Sequence, residues 1–393
     1  MKFIIIFVII RADLFERWAA WSFPKRSGTA GIILLRKEVR HLETINVRTN
    51  KQKQEYISFI YRVYRDDSNF RDLNLLFVKN FIWQKDTHAN RCIVWPMIIK
   101  DNNDIKAVGT FIYAQDMKEL RLSFLEFLPS AQKYLEELLR QGQIIAQNHG
   151  LEKIVIGING HISYGLGILV GKNNDFEFNA NYNPFYYSVE LDTLNLTKKK
   201  AYSYIYSLTT SIFNKDIIDN VYNTYDFRTM SKQNFKNEML LFGDLCDKVM
   251  CGTPYYSTKT KEEMYELMKQ MKPLLKNENI IFAMKDGKEV GFIFTHPDFA
   301  DFMTKTRVNP VAVFLKNRFR KANKLIYNII GVLPEYQKTA LAFGLIHQTV
   351  NLCEGYKKVV SSFVLEENVQ STKACRIFSQ GIEREYNLYE LEV

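Results

Sequence analysis

Several things are scarce in this sequence, and each scarcity excludes something. Cysteine is rare and odd in number, five in 393 residues. So few thiols, spread over so long a chain, cannot form a disulfide framework, and they fit a reducing compartment. Histidine is nearly as rare, with six scattered residues, so no metal site is expected. Cys246 and Cys251 are close in sequence but lie among apolar neighbours, and we read them as ordinary thiols. Proline (9) and glycine (18) are too few for a low-complexity chain. A membrane-spanning helix needs about 20 consecutive apolar residues, and the most apolar run, Phe3–Ile10, has eight. No GK[ST] phosphate loop, G-x-S-x-G elbow, HExxH, CxxC pair or EF-hand loop occurs. The best-known routes to phosphate, serine-hydrolase, zinc and calcium chemistry are therefore missing.

What remains suits a globular protein. Hydrophobic residues make up 47%, enough for substantial cores. Lys and Arg exceed Asp and Glu by ten (53 against 43). That mild excess permits an anionic partner such as nucleic acid, a phosphorylated cofactor or an acidic membrane, without selecting one.

Lys2 and the run after it have the length of a signal-peptide apolar segment. No small-x-small site precedes Trp18 and Trp21. We read residues 1–41 as an N-terminal extension outside the core, with a surface anchor or signal peptide as alternatives. From Ile45 onward two blocks repeat helices, strands, a helix and a strand. The expected lobes span 45–215 and 220–393, with Asn214–Asn220 as the linker. In the second block Val221–Arg228 reads as a strand and Asn234–Val249 as a helix. Thr260 and Glu263 form a capping-box pattern. Ile280–Met284 and Val290–Thr295 form a hairpin around Asp286-Gly287. A strand is expected over Lys324–Leu333 and a helix over Gln337–Glu354. Strand, helix and strand follow over Lys358–Leu365, Asn368–Ser379 and Glu385–Leu391. The first block shows strands at Ile93–Ile99, Ala107–Ala114, Leu122–Leu128 and Ile154–Ile158, with a helix over Ser130–Asn148. This alternation predicts an α/β architecture with helices on both faces of a sheet.

One constellation bears on chemistry. Residues Val332–Ala342 read V-L-P-E-Y-Q-K-T-A-L-A. A buried strand stops at Pro334 and a helix opens near Gln337. The unpaired N–H groups of a helix start suit a pyrophosphate, and the small Ala340 and Ala342 let an anion approach the backbone. An ordinary strand-to-helix turn would read the same way.

The segments that follow carry a resemblance. Val332, Pro334, Gln337 and Ala342 match the V-x-P-x-x-[QR]-x-x-G-x-[GA] acyl-CoA motif of the GNAT superfamily of N-acyltransferases. Ala340 stands where that motif has its first glycine. Asn368 and Gly381 match the later pattern. Phe378 occupies the place where many members carry a leaving-group tyrosine, so an acid step through that position is not available. Ser362–Asn368 (S-F-V-L-E-E-N), Gly165–Val170, Tyr182–Tyr187 (Y-N-P-F-Y-Y) and His296–Phe299 further resemble phrases of a long, two-lobed GNAT family. That family is similar to bacterial-type ceramide synthase.

The resemblance implies an α/β fold of two GNAT-like lobes, each a mixed, mostly antiparallel sheet flanked by helices. It implies acyl-CoA or acetyl-CoA as co-substrate, no metal, and direct attack of an amine on the thioester. The expected cofactor-binding residues are Val332, Gln337, Lys338, Thr339, Ala340, Leu341, Ala342 and Asn368. Glu366 and Glu367 are candidate catalytic carboxylates, since an attacking amine must lose a proton; both also read as solvated charges. Asn368 also reads as a helix cap, and His296 as either a base or a turn residue. Tyr182, Asn183, Tyr186 and Tyr187 are candidate substrate-binding residues, or else an interface between the lobes. The acceptor is expected to be a small-molecule or lipid amine. Lys305, Arg307, Lys316, Arg318, Arg320, Lys321 and Lys324 form a basic run that suggests peripheral contact with an anionic membrane from the cytoplasm. Alternatives are an aminoacyl-tRNA-dependent tandem transferase and a catalytically inactive binding module. No nucleic-acid-binding module is recognised, and no specific nucleic acid is expected.

Overall fold

The computed structural model describes residues 42–393 except 86, 172–174, 208 and 304–305. The extension expected over 1–41 and Lys305 of the basic run lie outside these residues. The strands are β1 (Leu42–Asn46), β2 (Cys92–Asp101), β3 (Asp104–Ala114), β4 (Glu119–Phe127), β5 (Lys153–Ile156), β6 (Ile168–Leu169) and β7 (Thr197–Tyr206) in the first block. The second block has β8 (Asp226–Thr229), β9 (Ile280–Lys285), β10 (Lys288–Pro297), β11 (Lys324–Val332), β12 (Lys358–Ser361), β13 (Val364–Leu365) and β14 (Ser379–Glu392). The helices are α1 (Asn50–Val63), α2 (Leu75–Trp83), α3 (Thr87–Arg91), α4 (Gln132–Asn148), α5 (Tyr186–Leu191) and α6 (Lys215–Thr224). They continue with α7 (Phe235–Met250), α8 (Lys261–Lys269), α9 (Pro310–Phe319), α10 (Leu341–His347), α11 (Val350–Cys353) and α12 (Val369–Phe378).

Local chemistry explains many boundaries. Thr260 and Glu263 exchange hydrogen bonds as a capping box and open α8, as their spacing predicts. Thr49 and Gln52 open α1 the same way. Asp286 and Gly287 both take positive φ and turn β9 into β10, the geometry that an Asp-Gly hairpin requires.

The strands form one mixed sheet in the order β1-β2-β3-β4-β5-β14-β7-β12-β11-β10-β9-β8. Among the described residues only β4–β5 and β11–β12 are parallel, and each parallel pair is joined by a helical crossover. The centre is an exchange. β7 leaves the first block to pair with β12, β13 and β14. The C-terminal β14 returns to pair with β5. Apolar cores cover both faces of each half. Tyr56, Ile60 and Phe81 pack on one face of the first block, and Leu135, Leu138 and Phe111 fill the other. In the second block Phe242, Phe282 and Phe292 oppose Val221, Leu341 and Leu345.

Three expected elements are corrected. Residues 215–224 are helix α6, neither linker nor strand, because the Asn214 Oδ1 accepts the Ile217 N–H as an N-cap and Val221 turns into the core against Leu341 and Leu345. Only Asp226–Thr229 of the expected strand pairs with β9. The helix expected from Gln337 starts at Leu341 and breaks after His347. A 3₁₀ turn over Pro334–Tyr336 takes its expected start.

Candidate functional site

The second parallel pair opens like a V. β11 and β12 run in register from Lys324↔Lys358 to Tyr327↔Ser361. Beyond that, β11 keeps only β10, with Asn328 as a bulge, while the other arm turns away to β13 and β7. The Ser362 N–H donates to the Tyr327 carbonyl at 2.8 Å and the Ser362 hydroxyl to the Asn328 carbonyl at 2.6 Å, closing the crotch. Alternate backbone groups of β11 past Tyr327 therefore face the gap. A cavity of about 10 Å³ lies there, with Asn328, Ser362 and Phe363 in its wall.

The gap leads to the segment Leu333–Ala342. Val332 is buried at the end of β11, and its carbonyl accepts the Gln337 Nε2–H at 3.3 Å. The Thr339 hydroxyl donates to the Tyr336 carbonyl and accepts the Leu341 N–H. The amides of Lys338, Ala340 and Ala342 have no acceptor among the described residues. Lys338 and Thr339 are exposed, whereas Leu341 is buried in the core. Ala340 has φ −79° and ψ 12°, so this position does not need glycine's conformational freedom, and alanine imposes no backbone strain. At seven residues α10 is short. What the segment offers an anion is therefore a set of open N–H groups, not the dipole of a long helix.

The first block has the same architecture with a different outcome. β4 and β5 run parallel from Glu119↔Lys153 to Leu122↔Ile156. β4 then bulges, with Phe124 at φ +50°. Where the second block leaves amides open, this block fills them itself. Glu190 of α5 accepts the Ser130 and Ala131 N–H groups at 2.7 and 3.1 Å, at the start of α4. A resident carboxylate both consumes these donors and repels an incoming anion.

Between the diverging ends of β4 and β5 lies a cavity of about 60 Å³, room for ordered water or a small ligand head. Its wall brings together Tyr182, Asn183 and Tyr187 of the expected substrate cluster with Glu126, Tyr64 and Asn181. Tyr186 stays off the wall, its hydroxyl donating to the Phe127 carbonyl. Asn183 is pinned to both backbone groups of Leu169, and the Tyr182 hydroxyl donates to Asp67. Tyr187 donates to Glu126 at 2.6 Å while accepting the Phe127 N–H, and Tyr64 lies 3.3 Å from the same carboxyl. Burial pushes the Glu126 carboxyl up to about 8, against the lowering effect of the Tyr187 and Tyr64 hydroxyls. Gly165 is fixed by its surroundings: it has φ +126°, and a Cβ there would stand 1.8 Å from Asn181 Oδ1.

The other expected residues are dispersed. Glu366 and Glu367 are exposed and line neither cavity; Glu367 pairs with Lys199, and Glu366 meets the Tyr202 hydroxyl at 3.4 Å. The Asn368 Oδ1 accepts the Ser371 N–H as the cap of α12. His296 is fully buried, its Nδ1 on the Pro297 carbonyl and its Nε2 3.4 Å from the Asn328 side-chain amide. Burial lowers its pKa to about 4, so at neutral pH it is an uncharged support for Asn328. Phe378 is buried against Phe213 and Phe343. Sequence reasoning missed Glu126 and Glu190. The one signal for Glu126 was an acid inside the apolar strand L-S-F-L-E-F.

No protein-family model matches this sequence, and no curated protein matches it. Among solved structures, a tandem GNAT protein from the clavulanic acid biosynthesis pathway is similar at TM-score 0.50 and 10% identity, over 90% of this chain and 98% of that one. A GCN5-related glucosamine N-acetyltransferase region of a fungal multi-domain GH3 beta-N-acetylglucosaminidase is similar at TM-score 0.52 and 10% identity, over 90% of this chain. This chain spans 38% of that protein's length. The two parallel pairs, their splayed ends and these whole-chain similarities agree: the fold is that of tandem GNAT proteins.

Proposed function

We propose that this chain is an acyl-CoA-dependent N-acyltransferase whose second block binds the acyl donor and whose first block shapes the acceptor site. One observation carries the assignment to the second block. Its splayed, bulged strand leads into open amides at Lys338, Ala340 and Ala342, whereas Glu190 fills the corresponding place in the first block. These amides would hold the donor's pyrophosphate, and the free edge of β11 past Tyr327 would hold the arm that carries the thioester. A backbone N–H of that edge, aimed into the gap, would stabilise the oxyanion formed on attack. The amine nitrogen bonds to the acyl carbon, the carbon–sulfur bond breaks, and the proton lost by the amine is taken up by the departing thiolate, giving the free thiol. With Phe378 at the tyrosine position and buried among apolar rings, that proton does not pass through residue 378.

For the acceptor we propose a lipid amine, the class implied by the resemblance to bacterial-type ceramide synthase. Its support is the exposed apolar and basic face of α9. Calorimetric titration with CoA tests the donor site. One CoA per chain is expected. Gln337→Glu, which sets a negative charge beside the pyrophosphate, should weaken binding by about 1–2 kcal/mol. Unchanged affinity in that variant would remove the site, and absence of thiol release with every acyl-CoA and amine tried would remove the enzymatic reading.

A further inference from the structure

The first-block cavity contains a carboxyl group with no counter-ion. Glu126 is partly buried on β4 in the cavity wall, and no cation pairs with it among the described residues. Arg71, the one cation in the cavity wall among the described residues, directs its Nε and Nη1 to the carbonyl oxygens of Met303, Ser68 and Phe70. Keeping an unpaired carboxylate out of water is unfavourable, so without a partner the acid keeps its proton, and a cation arriving in the cavity can take that proton's place. The neighbouring polar groups are already committed. Asn159 bonds the Phe124 N–H and Asn181, and Asn181 bonds the Gly167 carbonyl. Tyr187 donates to Glu126, and the Tyr64 hydroxyl lies 3.3 Å from both Glu126 and the Tyr182 carbonyl. The carboxylate has about four acceptor positions, and these two hydroxyls occupy only part of them.

We infer that this cavity binds the ammonium head of a primary alkylamine, with Glu126 as its counter-ion. An ammonium supplies three N–H donors and the missing charge. A neutral alcohol supplies one donor and no charge, and an anion would be repelled. The remaining wall suits an alkyl stem: Ile60, Leu75 and Val78 line it beside Phe70, whose ring stacks on Tyr64 at 3.9 Å. Aromatic faces at such a wall also attract a cation. Asn181 lines this cavity and also the small one at the β11–β12 crotch. The ammonium site and the acyl-transfer gap therefore lie on two sides of one segment. That the bound amine is the acceptor rests on the acyl-transfer reading; its binding does not.

The test titrates the full chain with hexylammonium and, separately, with 1-hexanol and with CoA. Saturable binding of the amine and much weaker binding of the alcohol are expected. Glu126→Gln, nearly the same shape, should weaken the amine at least about tenfold and leave CoA affinity unchanged. Val78→Phe, which fills the cavity and keeps the acid, should block the amine as well; it also serves if Glu126→Gln folds poorly. Hexylammonium and hexanol binding alike, Glu126→Gln binding the amine as well as the unaltered chain, or no saturable amine binding would each overturn the inference. Amine binding without CoA binding would instead sustain this site and overturn the donor site.

Discussion

At the scale of single residues, function depends on environments that the sequence does not spell out. Glu126 is the case with a measurable consequence. Burial outweighs the two tyrosine hydroxyls and pushes its carboxyl from the ordinary glutamate value of 4.5 up to about 8. The folded state thus holds the proton more tightly than the unfolded chain. The stabilising contribution is complete below about pH 4.5 and is lost as pH rises through about 8. Tyr64, Tyr182, Tyr186 and Tyr187 around it are all raised above the usual tyrosine range, chiefly by burial, so they stay neutral across this window. Urea melts of the unaltered chain between pH 5 and 8.5 should therefore show a fall in stability that Glu126→Gln lacks; equal slopes in both would place the ionisation elsewhere. The acid was visible in the sequence, but its orientation was not. The bulge at Phe124 shifts the alternation of β4, and strand alternation is the only basis for assigning faces from sequence. Ala340 is the converse. Its departure from the motif was legible, and only its backbone angles show that the methyl is tolerated.

At the scale of elements, boundaries were legible where local chemistry decided them. Asp286-Gly287, the Thr260–Glu263 box, Asn368 as a cap and the apolar spacing of α7 are all encoded within a few residues. They failed where packing decided. Val221–Arg228 alternates like a strand, yet Val221 is needed in the core of a helix. The crossover from β11 to β12 is interrupted because Thr349 is buried and bonded to Ile346 and Tyr327, so one long helix does not form. The two crossovers also set the difference between the blocks, and Glu190 tests it. Glu190→Ala removes the acceptor of the Ser130 and Ala131 amides, a loss comparable to losing a helix cap, about 0.5–2 kcal/mol. A lower melting temperature is expected, together with a second, weak anion site visible on titration with pyrophosphate. If the unaltered chain already binds two CoA molecules, or if Glu190→Ala melts unchanged, the carboxylate is not what separates the blocks.

At the scale of the whole molecule, two repeating blocks were readable from sequence, but their exchange of β7 and β14 was not, because nothing local distinguishes a strand that pairs at home from one that crosses over. The surface of the second block bears on where the acceptor of the proposed reaction would come from. On α9 only Val313 is buried, whereas Val311 is 66% and Phe319 81% exposed, with Phe314 and Leu315 also open. These four recur at i, i+3, i+4 and i+8, so they form one apolar stripe, and the exposed Arg318, Arg320 and Lys321 continue from its end. Among the described residues no helix is long and apolar enough to cross a membrane, so any bilayer contact in this part of the chain is peripheral. A stripe of this kind, with basic residues beside it and no acid from Phe302 to Leu333, is complementary to an acidic bilayer. Each Lys or Arg near such a surface contributes about 1 kcal/mol, and the apolar residues add burial. A transferase acting on a water-soluble amine has no use for such a face, and one acting on a lipid amine does. The chain should co-sediment with vesicles containing acidic lipid and not with neutral ones, and release should follow as salt shortens the screening length below about 10 Å. Replacing Arg318, Arg320 and Lys321 by glutamine should abolish sedimentation without changing CoA affinity, and Phe319→Ser should weaken it. If the protein stays in the supernatant at low salt, or if the stripe instead pairs two copies into a dimer that dissociates in Phe319→Ser, the lipid surface is not its partner and the acceptor is to be sought among soluble amines.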